Sequence, residues 1–265
     1  MGAPLQILIS NDDGIQSPGI LLLAEAAKEF GEVTVVAPHR ERSTAGHSLT
    51  LHKPLRILPH GPGLYAATGT PADCIYLGAN EILKRKPDLV LSGINAGANL
   101  GTDVHYSGTV AAAREAALMN VKSYAFSLVT SPHDPEKFAR EPLRFKEAAE
   151  AARRVLRATL DLEFPARTLL NVNIPNRPLE EMGEMRISRQ GYRRYSSEVT
   201  KRQDPRGRPY YWLGGAYVGF DADAESDCHA LENGDVAITP ITINCTHNEF
   251  YTTLTKRSFD GKLRG

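Results

Sequence analysis

Short, continuously apolar runs alternate with helix-patterned segments over residues 6–174, and this alternation limits the possible folds more than any other feature. The runs are 6–10 (QILIS), 32–37 (EVTVVA), 88–92 (DLVLS), 123–128 (SYAFSL) and 168–174 (TLLNVNI). A strand that is apolar throughout must be covered on both faces, as in a parallel sheet with helices above and below. The helix candidates between the runs are 19–30 (GILLLAEAAKEF), which Gly31 ends, and 72–83, with Asp73 in its first turn. The Ala-rich 109–119 follows, and then 136–160, with Pro142 in its first turn or at a break. The order predicts an α/β fold: a Rossmann-like, mostly parallel sheet with flanking helices.

The character changes after the fifth run. Residues 186–208 hold eight basic residues against two acidic, with Tyr192, Tyr195 and several turn formers. Residues 210–220 are aromatic and punctuated by glycine, 235–243 (DVAITPITI has its strand-like core here) is a further strand candidate, and the tail is polar and basic. The expected organisation is an α/β core over 1–185, an extended β-rich arm over 186–220 for oligomerisation, and a segment over 221–265 that returns to the core. The arm carries Tyr210, Tyr211, Trp212, Tyr217 and Phe220 without the periodicity of a core of its own. Aromatic residues on such an appendage are enriched at interfaces.

Composition excludes several classes of function. Lys+Arg and Asp+Glu both number 31, so nothing favours general binding to nucleic acid or to a membrane surface. No apolar run approaches the length of a membrane span. The three cysteines, Cys74, Cys228 and Cys245, are scattered and odd in number, which argues against a disulfide framework and for a reducing, cytoplasmic setting. The N-terminus has no basic region followed by an apolar one, so no signal peptide is expected.

Three polar loops follow three of the predicted strands, and in a parallel sheet all three lie at one edge. The first is Asn11-Asp12-Asp13-Gly14; the second spans 39–48 (HRERSTAGHS); the third spans 92–101 (SGINAGANLG). Adjacent carboxylates at a strand end repel each other unless a cation lies between them. With hydroxyl and amide oxygens nearby they suit Mg²⁺ or Mn²⁺, and the loops are too poor in His and Cys for zinc. Next to the third loop, Tyr106-Ser107-Gly108-Thr109-Val110 opens a helix, and a helix N-terminus attracts anions. The plainer reading of Ser107 is a helix cap, which is compatible with facing a ligand. A hard cation beside an anion pocket points to phosphoryl chemistry. Neither G-x-x-x-x-G-K-[ST] nor G-x-G-x-x-G after the first strand is present, which disfavours nucleoside triphosphate and dinucleotide chemistry. His39, His47 and His105 lie near the loops and read as hydrogen-bonding or surface residues, not as ligands.

The segments ILISNDDGIQSPGI, VVAPHRERSTAGHSLTL, GTPADCIYLG, PDLVLSGINAGANLGTDVHYSGTVAAAREA, LLNVNIP and DVAITPIT resemble the SurE (survival protein E) family in order and content. They cover most of residues 5–243; His39 departs from the family pattern, and 132–165 looks less family-like and supports only a structural reading. The resemblance implies a metal-dependent phosphatase that hydrolyses nucleoside 5′-monophosphates. It implies one divalent metal per subunit, Mg²⁺ or Mn²⁺, held by Asp12, Asp13, Ser43 and Asn95. It implies a phosphate bound near Asn99, Ser107, Gly108 and Thr109, and a homodimer or homotetramer held by an arm exchanged between subunits. Asp12 is the candidate for acid–base or nucleophilic work, with direct water attack and a phospho-aspartyl intermediate both open. The expected partner is a small-molecule nucleotide, with no membrane and no stable nucleic-acid partner. Two other readings are a phosphatase of broader range, acting on 3′-nucleotides or short polyphosphate, and a nucleotide- or RNA-binding module that uses the basic arm.

Overall fold

The computed structural model describes residues 3–130 and 141–257. β1 (Leu5–Ser10) is an inner strand, fourth in order, of a nine-stranded sheet. β2 (Gly31–Pro38) pairs with it in parallel on one side and β5 (Leu89–Ala96) on the other. β6 (Lys122–Val129) and β7 (Thr168–Pro175) continue the parallel array beyond β5. β4 (Leu64–Ala67) runs parallel to β2 and is capped by the antiparallel β3 (Ile57–Gly61). The β3–β4 hairpin was not expected, because Pro59 and Gly61 make an edge strand look like a loop. An edge is where a strand tolerates proline.

The strands are apolar because the sheet is covered on both faces. Ile7, Ile9, Val35, Leu91 and Phe126 join one buried cluster; Leu8, Val36 and Val90 point into another. α1 (Pro18–Ala27) and α4 (Phe145–Thr159) cover the first face. α2 (Pro71–Leu77), extended by a π-helical turn over Gly78–Ile82, and α3 (Gly108–Leu118) cover the second. α4 buries Phe145, Ala148, Ala152, Val155 and Leu156, a helical i, i+3, i+4 stripe.

The helix expected over 136–160 begins later, at Phe145; residues 136–140 lie outside the described residues. Residues 141–144 are not helical. Proline disfavours helical backbone in the residue before it, and Asn176, just past β7, holds this segment by two hydrogen bonds. Its Oδ1 accepts from Arg144 N at 2.9 Å and its Nδ2 donates to the Pro142 carbonyl at 3.2 Å. The strand expected over 88–92 continues to Ala96 through a register shift, so Asn95 belongs to the strand end and pairs with Ser127.

The C-terminal part adds to the other edge. β13 (Val236–Thr242) lies antiparallel to β7, and β8 (Met185–Ile187) lies parallel to β13. The chain between β8 and β13 leaves the sheet as β9 (Arg193–Tyr195), the hairpin of β10 (Val199–Gln203) and β11 (Pro209–Leu213), and β12 (Tyr217–Phe220). It returns through α5 (Asp227–Glu232). All ten strand residues of the hairpin are exposed, Leu213 by 89%. α6 (Asn248–Thr255) buries none of its residues either. No described helix is long and apolar enough to cross a membrane.

Candidate active site

The parallel topology carries the ends of β1, β2 and β5 to one edge, on either side of the point where strand order reverses. Residues from the loop after each strand line a single open cavity of about 1100 Å³ there. Asp12 and Asp13 come from the first loop, Glu41 and Ser43 from the second, Asn95 from the end of β5, and Asn99 from the turn beyond it. Ser107, at the start of α3, lines the same cavity.

Asp12 is the most constrained of these. It is 6% exposed, and its Oδ1 accepts a hydrogen bond from Thr109 Oγ1 at 2.6 Å. The Thr109 backbone N–H favours the same carboxylate, so the N-terminus of α3 is directed at Asp12. Gly108 makes this approach possible: a Cβ there would lie 2.7 Å from Asp12 Cβ and 2.8 Å from Oδ2. Asp12 also binds the second loop, since its carbonyl accepts from Arg42 N at 2.7 Å. Gly14, at φ +101°, closes the first loop against Asn11, whose side chain bonds the Gly14 N–H and carbonyl.

Burial raises the Asp12 carboxyl above its ordinary range despite the Thr109 contacts. Asp13 is pushed up to about 6, first by burial and then by the Asp12 charge. The other charge acting on both is Glu41, also acidic. Five carboxylates line the cavity, those of Asp12, Asp13, Glu41, Asp103 and Glu198, and no lysine, arginine or histidine does so among the described residues. An anion has no reason to enter such a cavity unless a cation precedes it, and this donor set fits a hard divalent ion. Asn95 Nδ2 donates to the Gly97 carbonyl at 2.9 Å, which reserves the amide oxygen for another partner. Among the described residues no three His, Cys, Asp or Glu side chains cluster as a metal site, so neutral oxygens must complete any coordination.

The residues expected at the phosphate differ in what they touch. Ser107 caps α3, its Oγ accepting from Val110 N at 3.0 Å, and still lines the cavity. Thr109 is fully buried and reaches the site through Asp12. Asn99 lines the cavity while its Nδ2 donates to Ser127 Oγ at 2.8 Å, and Asn171 and Asn173 hold its backbone carbonyl. His39 bonds the Ala67 carbonyl and His47 bonds Glu115; neither lines the cavity.

Two contributions were not anticipated. Glu41 accepts a hydrogen bond from Ser43 Oγ. The root of the arm forms part of the cavity wall through Tyr195, Ser196, Val199 and Leu213. It is pinned there by Asp103, which receives Arg193 Nη1 and the Tyr195 hydroxyl on one oxygen. The Arg193 guanidinium lies 4.4 Å from the centre of the Tyr217 ring, and Asp227 accepts from both Gly101 N and Gly191 N at 2.9 Å.

The chain matches the family described as Survival protein SurE over residues 7–197. It is 45% identical over 243 residues to "5'-nucleotidase SurE" of Geobacter sulfurreducens, covering 92% of this chain and 90% of that protein. It is 46% identical over 247 residues to "5'-nucleotidase SurE" of Vibrio parahaemolyticus, covering 93% and 92%. The crystal structure of the SurE protein from Aquifex aeolicus superposes with a TM-score of 0.82 at 42% identity, covering 94% of this chain and 98% of that one. Sequence segments, sheet topology and long-range similarity agree: the chain belongs to the SurE family.

Proposed function

We propose that this chain is a divalent-metal-dependent phosphomonoesterase that hydrolyses nucleoside 5′-monophosphates to nucleoside and phosphate. The observation that carries the reading is the cavity itself, lined among the described residues by five carboxylates and no basic side chain, with the capped N-terminus of α3 at its wall. The relatives named 5'-nucleotidase support the substrate class.

Asp12, Asp13, Ser43 and Asn95 would hold one cation, Mg²⁺ or Mn²⁺. When bound, such an ion supplies Lewis-acid stabilisation of charge on the phosphoryl oxygens. Ser107, Gly108 and Asn99 offer the phosphate polar groups at the mouth of α3, while Thr109 fixes Asp12. Its bond to Thr109 and its position in the cavity lining support Asp12 as the group that attacks phosphorus or moves a proton. The exposed hairpin and α6 support a homo-oligomer, dimer or tetramer. Three free cysteines, two of them buried, support a cytoplasmic setting.

The test is phosphate release from a panel of phosphate esters before and after exhaustive chelation. Turnover of 5′-monophosphates should vanish with the metal and return with added Mg²⁺ or Mn²⁺. Undiminished turnover after chelation would overturn the metal mechanism.

A further inference from the structure

With cation and phosphate assigned to one end of the cavity, a wall built partly of aromatic rings remains. Tyr106 immediately precedes the helix cap Ser107 and is 70% exposed, although it lines the cavity. Tyr195 lines it from the arm root and is 44% exposed. The Tyr195 ring is held in place: its hydroxyl donates to Asp103 Oδ2 at 2.6 Å, and it meets Tyr217 edge-on with ring centres 5.8 Å apart. The Arg193 guanidinium lies 5.4 Å from the same ring. Asp103 belongs to the 3₁₀ turn Gly101–His105, which leads directly into Tyr106. The two rings are therefore tied to one short segment beside the start of α3.

The charge of the cavity decides what these rings can do. No basic side chain among the described residues lines it, so beyond the cation nothing grips a substrate by ion pairing. The remaining affinity for the leaving group has to come from surfaces that attract without charge, and a flat π-system stacking on tyrosine is the favourable case. An exposed tyrosine beside an anion-binding helix start has little value to folding.

We propose that Tyr106 and Tyr195 form the platform for the nucleobase, and that they set the preference for nucleotides over phosphate esters that lack a base. This rests on the activity proposed above, but its binding arm does not require turnover. Two quantities are measured on the full-length protein with Mn²⁺. One is the ratio of kcat/KM for a nucleoside 5′-monophosphate to that for ribose 5-phosphate. The other is nucleoside binding by calorimetry. Tyr106→Leu and Tyr195→Leu should each lower the ratio roughly 10-fold or more, mainly through KM, and weaken nucleoside binding in step. Tyr195→Phe keeps the ring and should retain most of the preference, which separates stacking from loss of the Asp103 bond. Mn²⁺ affinity, read by electron paramagnetic resonance, should not move with Tyr106→Leu. The proposal falls if both Leu variants keep the wild-type ratio and nucleoside affinity. If the wild type hydrolyses neither ester but loses nucleoside binding in the Leu variants, the phosphatase reading falls and the platform stands.

Discussion

Asp12 shows how much one side chain can be asked to do. Thr109 fixes its Oδ1, Gly108 admits it against α3, and its carbonyl anchors Arg42 of the next loop. Asp12→Asn should therefore lose more than Ser43→Ala, by roughly 10²- to 10³-fold in kcat at saturating metal. Equal, modest losses in a phosphate-release assay would count against a central role for Asp12. Gly108→Ala puts a methyl group 2.7 Å from Asp12 Cβ, so helix and loop must part. The expected cost is about 1–3 kcal/mol of stability, seen in denaturant melts, together with loss of metal affinity. The pair Asp12-Asp13 was legible in the sequence because adjacent acids at a strand end are hard to explain otherwise. Glu41 was not, since its place depends on a bond to Ser43 that forms only when the loop folds. Thr109 was legible as part of a helix start, but not as the partner of a residue 97 positions away.

Among the elements, α3 carries the site at one end and restrains a loop further along. Glu115, 7% exposed, accepts or shares a proton with His47 Nε2 at 2.8 Å and ties down the loop that carries Ser43. Thr70 and Asp73 hold the far end of that loop through the Ser48 carbonyl and the Thr50 N–H. Glu115→Ala frees the middle of the loop at a cost of about 1–3 kcal/mol. Hydrogen exchange should quicken over residues 42–50 and stay unchanged in β1 and β5; no difference between the segments would show that the pair does not restrain the loop. The long apolar strands and Ala-rich helices were readable because they are buried on every side. The start of α4 and the β3–β4 hairpin were not. Asn176, distant in sequence, decides the first, and edge position makes Pro59 acceptable in the second.

At the scale of the whole molecule, the nine-stranded sheet is self-sufficient and the arm is not. The β10–β11 hairpin exposes Tyr210, Tyr211, Trp212 and Leu213, and α6 exposes Phe250 and Tyr251. Ser196 N donates to the Ala216 carbonyl at 2.9 Å and Val199 faces Leu213 across the hairpin, so residues 200–212 can be excised and the gap bridged while the cavity-lining Val199 and Leu213 are kept. Light scattering should show an oligomer for the full chain and a smaller species for the shortened one. A full-length monomer at micromolar concentration would refute this use of the arm.

The arm root also lines the cavity, so subunit association through the arm would not be independent of substrate binding. If subunit contacts steady Tyr195 and its neighbours, then association and substrate affinity are thermodynamically linked, and the coupling must be equal in both directions. Dilution that separates subunits would weaken substrate binding by the same factor by which substrate promotes their reassembly. Catalytic capacity per chain would then rise with the amount of protein present, a form of concentration sensing that requires no additional effector site.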